Sequence, residues 1–109
     1  MSIQYRQGDV LLIKLAEAEA KALGLARQVW PTNGRAVLAF GEATGHTHSV
    51  DGADAALDER RAERYLAVWA PTELTHEEHA LIRLDPGFYR VVRQREFVPT
   101  RDRVAWVND

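Results

Sequence analysis

The sequence contains no cysteine. Disulfides and thiolate metal sites are therefore excluded, and a metal ion would need His, Asp or Glu ligands. Lysine is almost missing too, present only as Lys14 and Lys21. The basic charge is carried by arginine, whose planar fork suits bidentate anion contacts. No basic excess exists: 14 Lys+Arg stand against 16 Asp+Glu, for a net charge of −2. That balance gives no general drive toward nucleic acid or an anionic membrane. No apolar run approaches the roughly 20 residues that a bilayer crossing needs. The first residues, 1–9, contain no apolar stretch of signal-peptide type, so the expectation is a cytoplasmic protein.

What is present is an ordinary globular composition, 46% hydrophobic and 28% charged over 109 residues. One core and one domain, 1–109, are expected at that length. Most segments read as short strands between Gly, Pro and Asn turns. Residues 3–6 and 9–15 read as strands flanking the turn Gln7-Gly8-Asp9. Residues 16–23 are rich in Ala, Glu, Lys and Leu and predict one short helix, stopped by Gly24. Residues 27–30 and 35–40 should pair across Asn33-Gly34. His46 to Val50 and Arg64 to Ala70 predict strands, with the polar residues 54–63 between them as a loop or helical turn. Residues 79–84 and 88–97 should form a hairpin around Asp85-Pro86-Gly87. Val104 to Val107 predicts a last short strand. These expectations add up to a mainly β domain, a small barrel or sandwich.

The histidines carry the chemical signal. There are four, His46, His48, His76 and His79, in two short segments. On a strand, side chains alternate with period 2, so His46 and His48 share a face. His76 and His79, three apart, cannot share a strand face and need a bend or helical turn. If the 36–50 and 65–84 segments lie side by side, these imidazoles converge. They would then hold a divalent transition ion such as Zn, Fe, Ni or Mn. Glu42 and Glu78 are the candidate catalytic carboxylates, able to serve as general base on metal-bound water. The bland alternative is that the histidines are polar loop-end residues making hydrogen bonds. No residue pattern names a substrate. A small molecule, a partner protein or a second copy of the chain are the compatible partners.

A second reading uses the strand bearing Arg90, Arg93 and Arg95 as an anion, nucleotide or RNA site. The competing expectation pairs these arginines with Asp9, Glu96 or Asp102, and the net charge favours it. A third reading is a non-catalytic module that docks on a partner through its strand edges.

Gly41, His46, His48 and Pro86-Gly87 resemble the metal-binding pattern of the cupins, small β-barrels with a Gly-led His-x-His. The resemblance implies a barrel with a metal at His46 and His48. It departs from that pattern in having no Glu after His48 at the usual distance and no His after Gly87. Over most of its length the chain resembles a group of short bacterial proteins. The shared phrases are Tyr5-Arg-Gln-Gly-Asp-Val-Leu11, Gly41-Glu-Ala-Thr-Gly-His-Thr-His48, Leu74-Thr-His-Glu-Glu-His79 and Pro86-Gly-Phe-Tyr-Arg-Val-Val-Arg-Gln-Arg-Glu-Phe97. That resemblance implies no named activity.

Overall fold

The computed structural model describes residues 3–25, 33–40, 47–93, 96–100 and 103–107. It contains β1 (Gln4–Gln7), β2 (Val10–Lys14), α1 (Glu17–Ala22), β3 (Arg35–Phe40), β4 (Thr47–Asp51) and β5 (Ala55–Glu59). There follow β6 (Arg64–Val68), β7 (Thr72–Leu74), β8 (Ile82–Leu84), β9 (Gly87–Arg93), β10 (Glu96–Thr100) and β11 (Arg103–Val107). The fold is mainly β, with one short helix.

Five strands form an antiparallel sheet in the order β1-β2-β9-β6-β5. The hairpins β3-β4 and β7-β8 are joined by one bridge, in which Ser49 and Thr75 exchange backbone hydrogen bonds of 3.0 and 2.9 Å. The core combines sheet residues Val10, Leu12, Leu66, Tyr89 and Val91 with Leu38, Val50, Leu74 and Leu84 from those hairpins. Period 2 explains the split of the sheet into two buried faces. Leu66 and Tyr89 enter the main core, while their sequence neighbours Tyr65 and Phe88 turn the other way. There they meet Ala20 and Leu25 beneath the helix. The helix ends as expected, with Gly24 in the left-handed region at φ 70°.

Several expectations need correction. The described strands do not close into a barrel; they form the five-stranded sheet and separate hairpins. Residues 54–63 contain a strand, β5, paired along its length with β6. Its polar residues mark an edge strand, where one side faces water. The expected hairpin of 79–84 with 88–97 is absent. β8 pairs with β7, and β9 lies between β2 and β6. His79 sits in a bend, not at the start of a strand. β3 pairs with β4, and its expected pairing with 27–30 falls on residues that are not described. The predicted strand 27–30 lies outside the described residues. No helix among the described residues is long and apolar enough to cross a membrane.

Candidate functional site

Three pieces of chain build the site. The first is the two-residue turn Gly8-Asp9 between β1 and β2, where Gln7 pairs with Val10. The second is β4, which carries His48. The third is the bend between β7 and β8, which carries His76 and His79. The Ser49–Thr75 bridge brings the second and third together, as the side-by-side arrangement of these segments requires. Arg35 reinforces it, donating from Nη2 to the Ser49 carbonyl at 2.9 Å and to Thr75 Oγ1 at 2.8 Å. Glu77 Oε2 accepts the Thr47 N–H at 3.1 Å, tying the bend to the start of β4.

Three of the four predicted imidazoles meet. The His48 ring lies 4.2 Å from that of His76 and 6.0 Å from that of His79, centroid to centroid. His76 and His79 are 4.6 Å apart. His46 and Glu42 lie outside the described residues. Glu78 is exposed and reaches the cluster through its backbone, whose N–H donates to His76 Nδ1 at 3.0 Å.

The sequence reading missed two members, Gln7 and Asp9. Both are buried, at 2% and 4% exposure, and His48 is fully buried. Gln7 Nε2 donates to two carbonyls, Leu74 and Ala80, each at 2.9 Å. Those bonds clamp both sides of the histidine bend and fix which end of the amide is oxygen. Gln7 Oε1 then faces His48 Nδ1 at 2.9 Å. An amide oxygen can only accept, so Nδ1 must carry the proton. Neutral His48 therefore keeps its lone pair on Nε2.

That lone pair points at a carboxylate. His48 Nε2 lies 3.2 Å from Asp9 Oδ1, and among the described residues neither atom has a hydrogen-bond partner. The other Asp9 oxygen accepts from Arg93 Nε at 2.7 Å, a bond from a charged donor. Two buried acceptors thus face each other with nothing between them to share.

Protonating His48 would relieve the contact, but the surroundings oppose it. Burial, then the His76 ring, lower its pKa from 6.5 to about 4, against the opposing pull of Asp9; His79 lowers it further. The unfolded chain takes up this proton at a higher pH than the folded one. The associated stability is complete above pH 6.5 and drains away as pH falls toward 4. Urea unfolding of the metal-free protein should therefore show a loss of roughly 2 kcal/mol between pH 7 and pH 5 from this group. A His48→Gln variant should lack that component.

Gly8 makes the approach of His79 feasible. It has φ 57°, and a Cβ added there would stand 2.7 Å from His79 Nε2 and 3.2 Å from His48 Cε1. Gly8→Ala should cost about 1–2 kcal/mol through the left-handed backbone alone. It should also push the His79 ring out of place, a shift that histidine NMR resonances would report.

No group of three His, Asp or Glu side chains among the described residues is already arranged to hold a metal ion. Two donors, His48 Nε2 and Asp9 Oδ1, are in place, and His79 is adjacent. The arginine strand is engaged with acids: Arg93 with Asp9, and Arg90 Nε 3.7 Å from Glu63 Oε2. Arg95 lies outside the described residues. A groove of about 430 Å³ near Arg35, Asp51, Glu73 and Arg83 includes none of the histidines.

A family model described as a domain of unknown function (DUF8820) matches residues 6–94. The chain belongs to that family, and the match spans Gln7, Asp9 and all four histidines. No curated protein and no solved structure matches the chain.

Proposed function

We propose that this member of the DUF8820 family binds a divalent transition metal ion between the β1–β2 turn and the histidine bend. The observation that carries this reading is the facing pair His48 Nε2 and Asp9 Oδ1, both buried and both without a hydrogen-bond donor among the described residues. A cation between them turns a repulsive contact into two coordinate bonds. The pair is also oriented as metal ligands are. His48 donates its other ring N–H to an oxygen, the arrangement that fixes tautomer and ring direction in metal-bound histidines. Asp9 is held from behind by Arg93. His79 supplies the third ligand by a turn of its ring in the room left by Gly8.

Two imidazoles and one carboxylate suit Zn, Fe, Ni or Mn. Three protein ligands leave a position for water or a small ligand, the pattern of sites that act on substrates rather than of closed structural ones. A metal-activated water is the chemistry such a site would offer, with the exposed Glu78 as the candidate carboxylate to exchange protons with it.

Equilibrium dialysis of the purified protein against Co²⁺ tests the reading. One equivalent should be retained, and none by His48→Ala. Because His48 is buried and its loss can unfold the domain, Asp9→Asn serves as the second variant. A folded wild type that retains no cobalt, or an Asp9→Asn variant that binds it equally well, overturns the proposal.

A further inference from the structure

We infer that β11 of one chain adds to the outer edge of β1 in a second copy, so that two chains exchange their C-terminal hairpins in a symmetric dimer. The pairing needs no metal.

The body of the protein is a wrap of strands with an open seam. They follow one another from β1 through β2, β9, β6 and β5 to β3, β4, β7 and β8. Among the described strands, β1 and β8 are the two ends, each paired on one side. Gln7 pins the ends together at one point, through its bond to the Ala80 carbonyl. Away from that point the core opens. Period 2 puts Gln7, Tyr5 and Ile3 on the inward side of β1. Their exposure rises from 2% at Gln7, through half-buried Tyr5, to 51% at Ile3. Ile82 of β8 is likewise only partly buried against the core.

The backbone of β1 is set to accept a further strand. Gln7 pairs with Val10 across the turn, and the Lys14 N–H donates to the Ile3 carbonyl at 2.9 Å. Ile3, Tyr5 and Gln7 therefore bond to β2, and the alternate residues Gln4 and Arg6 turn their N–H and C=O groups outward.

The hairpin β10-β11 supplies the strand. Among the described residues it forms a sheet of its own with no third strand. Six of its ten strand residues are Phe97, Val98, Val104, Ala105, Trp106 and Val107. An isolated two-stranded hairpin is marginal in water, so this one gains most by joining a larger sheet. Its register chooses the joining edge. Thr100 and Arg103 flank the connection and Pro99 pairs with Val104. In such a hairpin the flanking pair exchanges hydrogen bonds, and the next pair points its backbone groups outward. Pro99 has no N–H to point, which blunts the outer edge of β10. The outer edge of β11 keeps its donors at Val104 and Trp106.

A chain cannot make this pairing with itself. β9 ends at Arg93 and β10 begins at Glu96, a step of three residues that spans at most about 11 Å. With β11 beside β1, β10 would lie four strand positions from β9, about 19 Å away. The edge of a second copy carries no such limit, and reciprocal exchange closes as a two-fold dimer.

Sedimentation of the full chain tests the inference. Wild type should be a dimer. Arg6→Pro and Val104→Pro each remove one outward N–H and leave the β1-β2 and β10-β11 ladders intact. Each should raise the dimer dissociation constant by about tenfold or more. Mixed together, the two variants should form a heterodimer by native mass spectrometry, since one chain keeps its β11 edge and the other its β1 edge. If circular dichroism shows Arg6→Pro unfolded, Gln4→Pro, at the start of the same edge, takes its place. A monomeric wild type overturns the inference, as it would be if the hairpin lay on its own sheet. So does a dimer that survives Val104→Pro, the result expected of β1 pairing with β1, or a mixture that gives no heterodimer.

Discussion

Asp9→Asn should melt close to the wild type without metal, and should fail to gain stability when metal is added. The two halves of this result have separate causes. Without metal, the wild-type carboxylate faces the His48 lone pair at 3.2 Å, an arrangement with no proton to share. An asparagine amide can donate its N–H to that lone pair while its oxygen still accepts from Arg93. The new hydrogen bond contributes about 1 kcal/mol. Loss of charge on the Arg93 contact costs a similar amount, so the net change stays within about 1 kcal/mol. With metal at a hundredfold excess over Kd, the wild type gains about 2.7 kcal/mol, because the ion binds only the folded state. That corresponds to a rise in Tm of about 10–20 °C for a domain of this size. The amide is a poorer ligand and carries no charge, so the variant should not shift. Differential scanning calorimetry of both proteins with and without Zn²⁺ reads all four values. A variant destabilised by several kcal/mol without metal, and a wild type indifferent to Zn²⁺, would show the Asp9 contacts to be purely structural.

Gln7→Leu should be strongly destabilising. Leucine matches the volume of glutamine without its polar atoms, so packing is nearly conserved. What goes is the clamp. The Leu74 and Ala80 carbonyls each lose a donor at 2.9 Å, and the His48 Nδ1–H loses its acceptor. A buried group left without its partner costs about 1–3 kcal/mol. Three such groups, partly rescued by water at the half-open bend, give a loss on the order of 3–5 kcal/mol. That is a large fraction of the whole stability of a small domain. Urea unfolding would measure it, and amide exchange should rise first in residues 75–80, which the clamp holds. A loss below about 1 kcal/mol would mean that Gln7 is not the keystone of the bend.

The meeting of His48, His76 and His79 was legible in the sequence because its histidines are so few and so placed. His-x-His and His-x-x-His required the 36–50 and 65–84 segments to be neighbours, and the Ser49–Thr75 bridge makes them so. Gln7 and Asp9 were not legible as site residues. Gln-Gly-Asp between two apolar strands is a turn signal, and nothing in its pattern says that the turn is folded inward onto a histidine. The partners lie at sequence separations of 41 and 67, which no local pattern encodes. Strand β5 was missed because its apolar residues, Ala55, Ala56 and Leu57, are few, small and not alternating, and a charged run follows them. At an edge, that is all the signal a strand needs. Asp85-Pro86-Gly87 does turn the chain, but turn chemistry says nothing about which strands the two arms then join. Here β8 goes to β7, and β9 goes to the middle of the other sheet.

The place of β9 has a consequence for how the chain assembles during synthesis. Among the described strands it alone links the β1-β2 pair to the β6-β5 pair, and it emerges from the ribosome after all four. Until then the large sheet is two detached hairpins, each too small to persist in water. The residue that braces Asp9, Arg93, is the final residue of that strand. Release of a nascent chain that stops short of β9 should leave a protease-sensitive polypeptide, and folding should occur as a late, concerted event once residue 93 clears the exit tunnel.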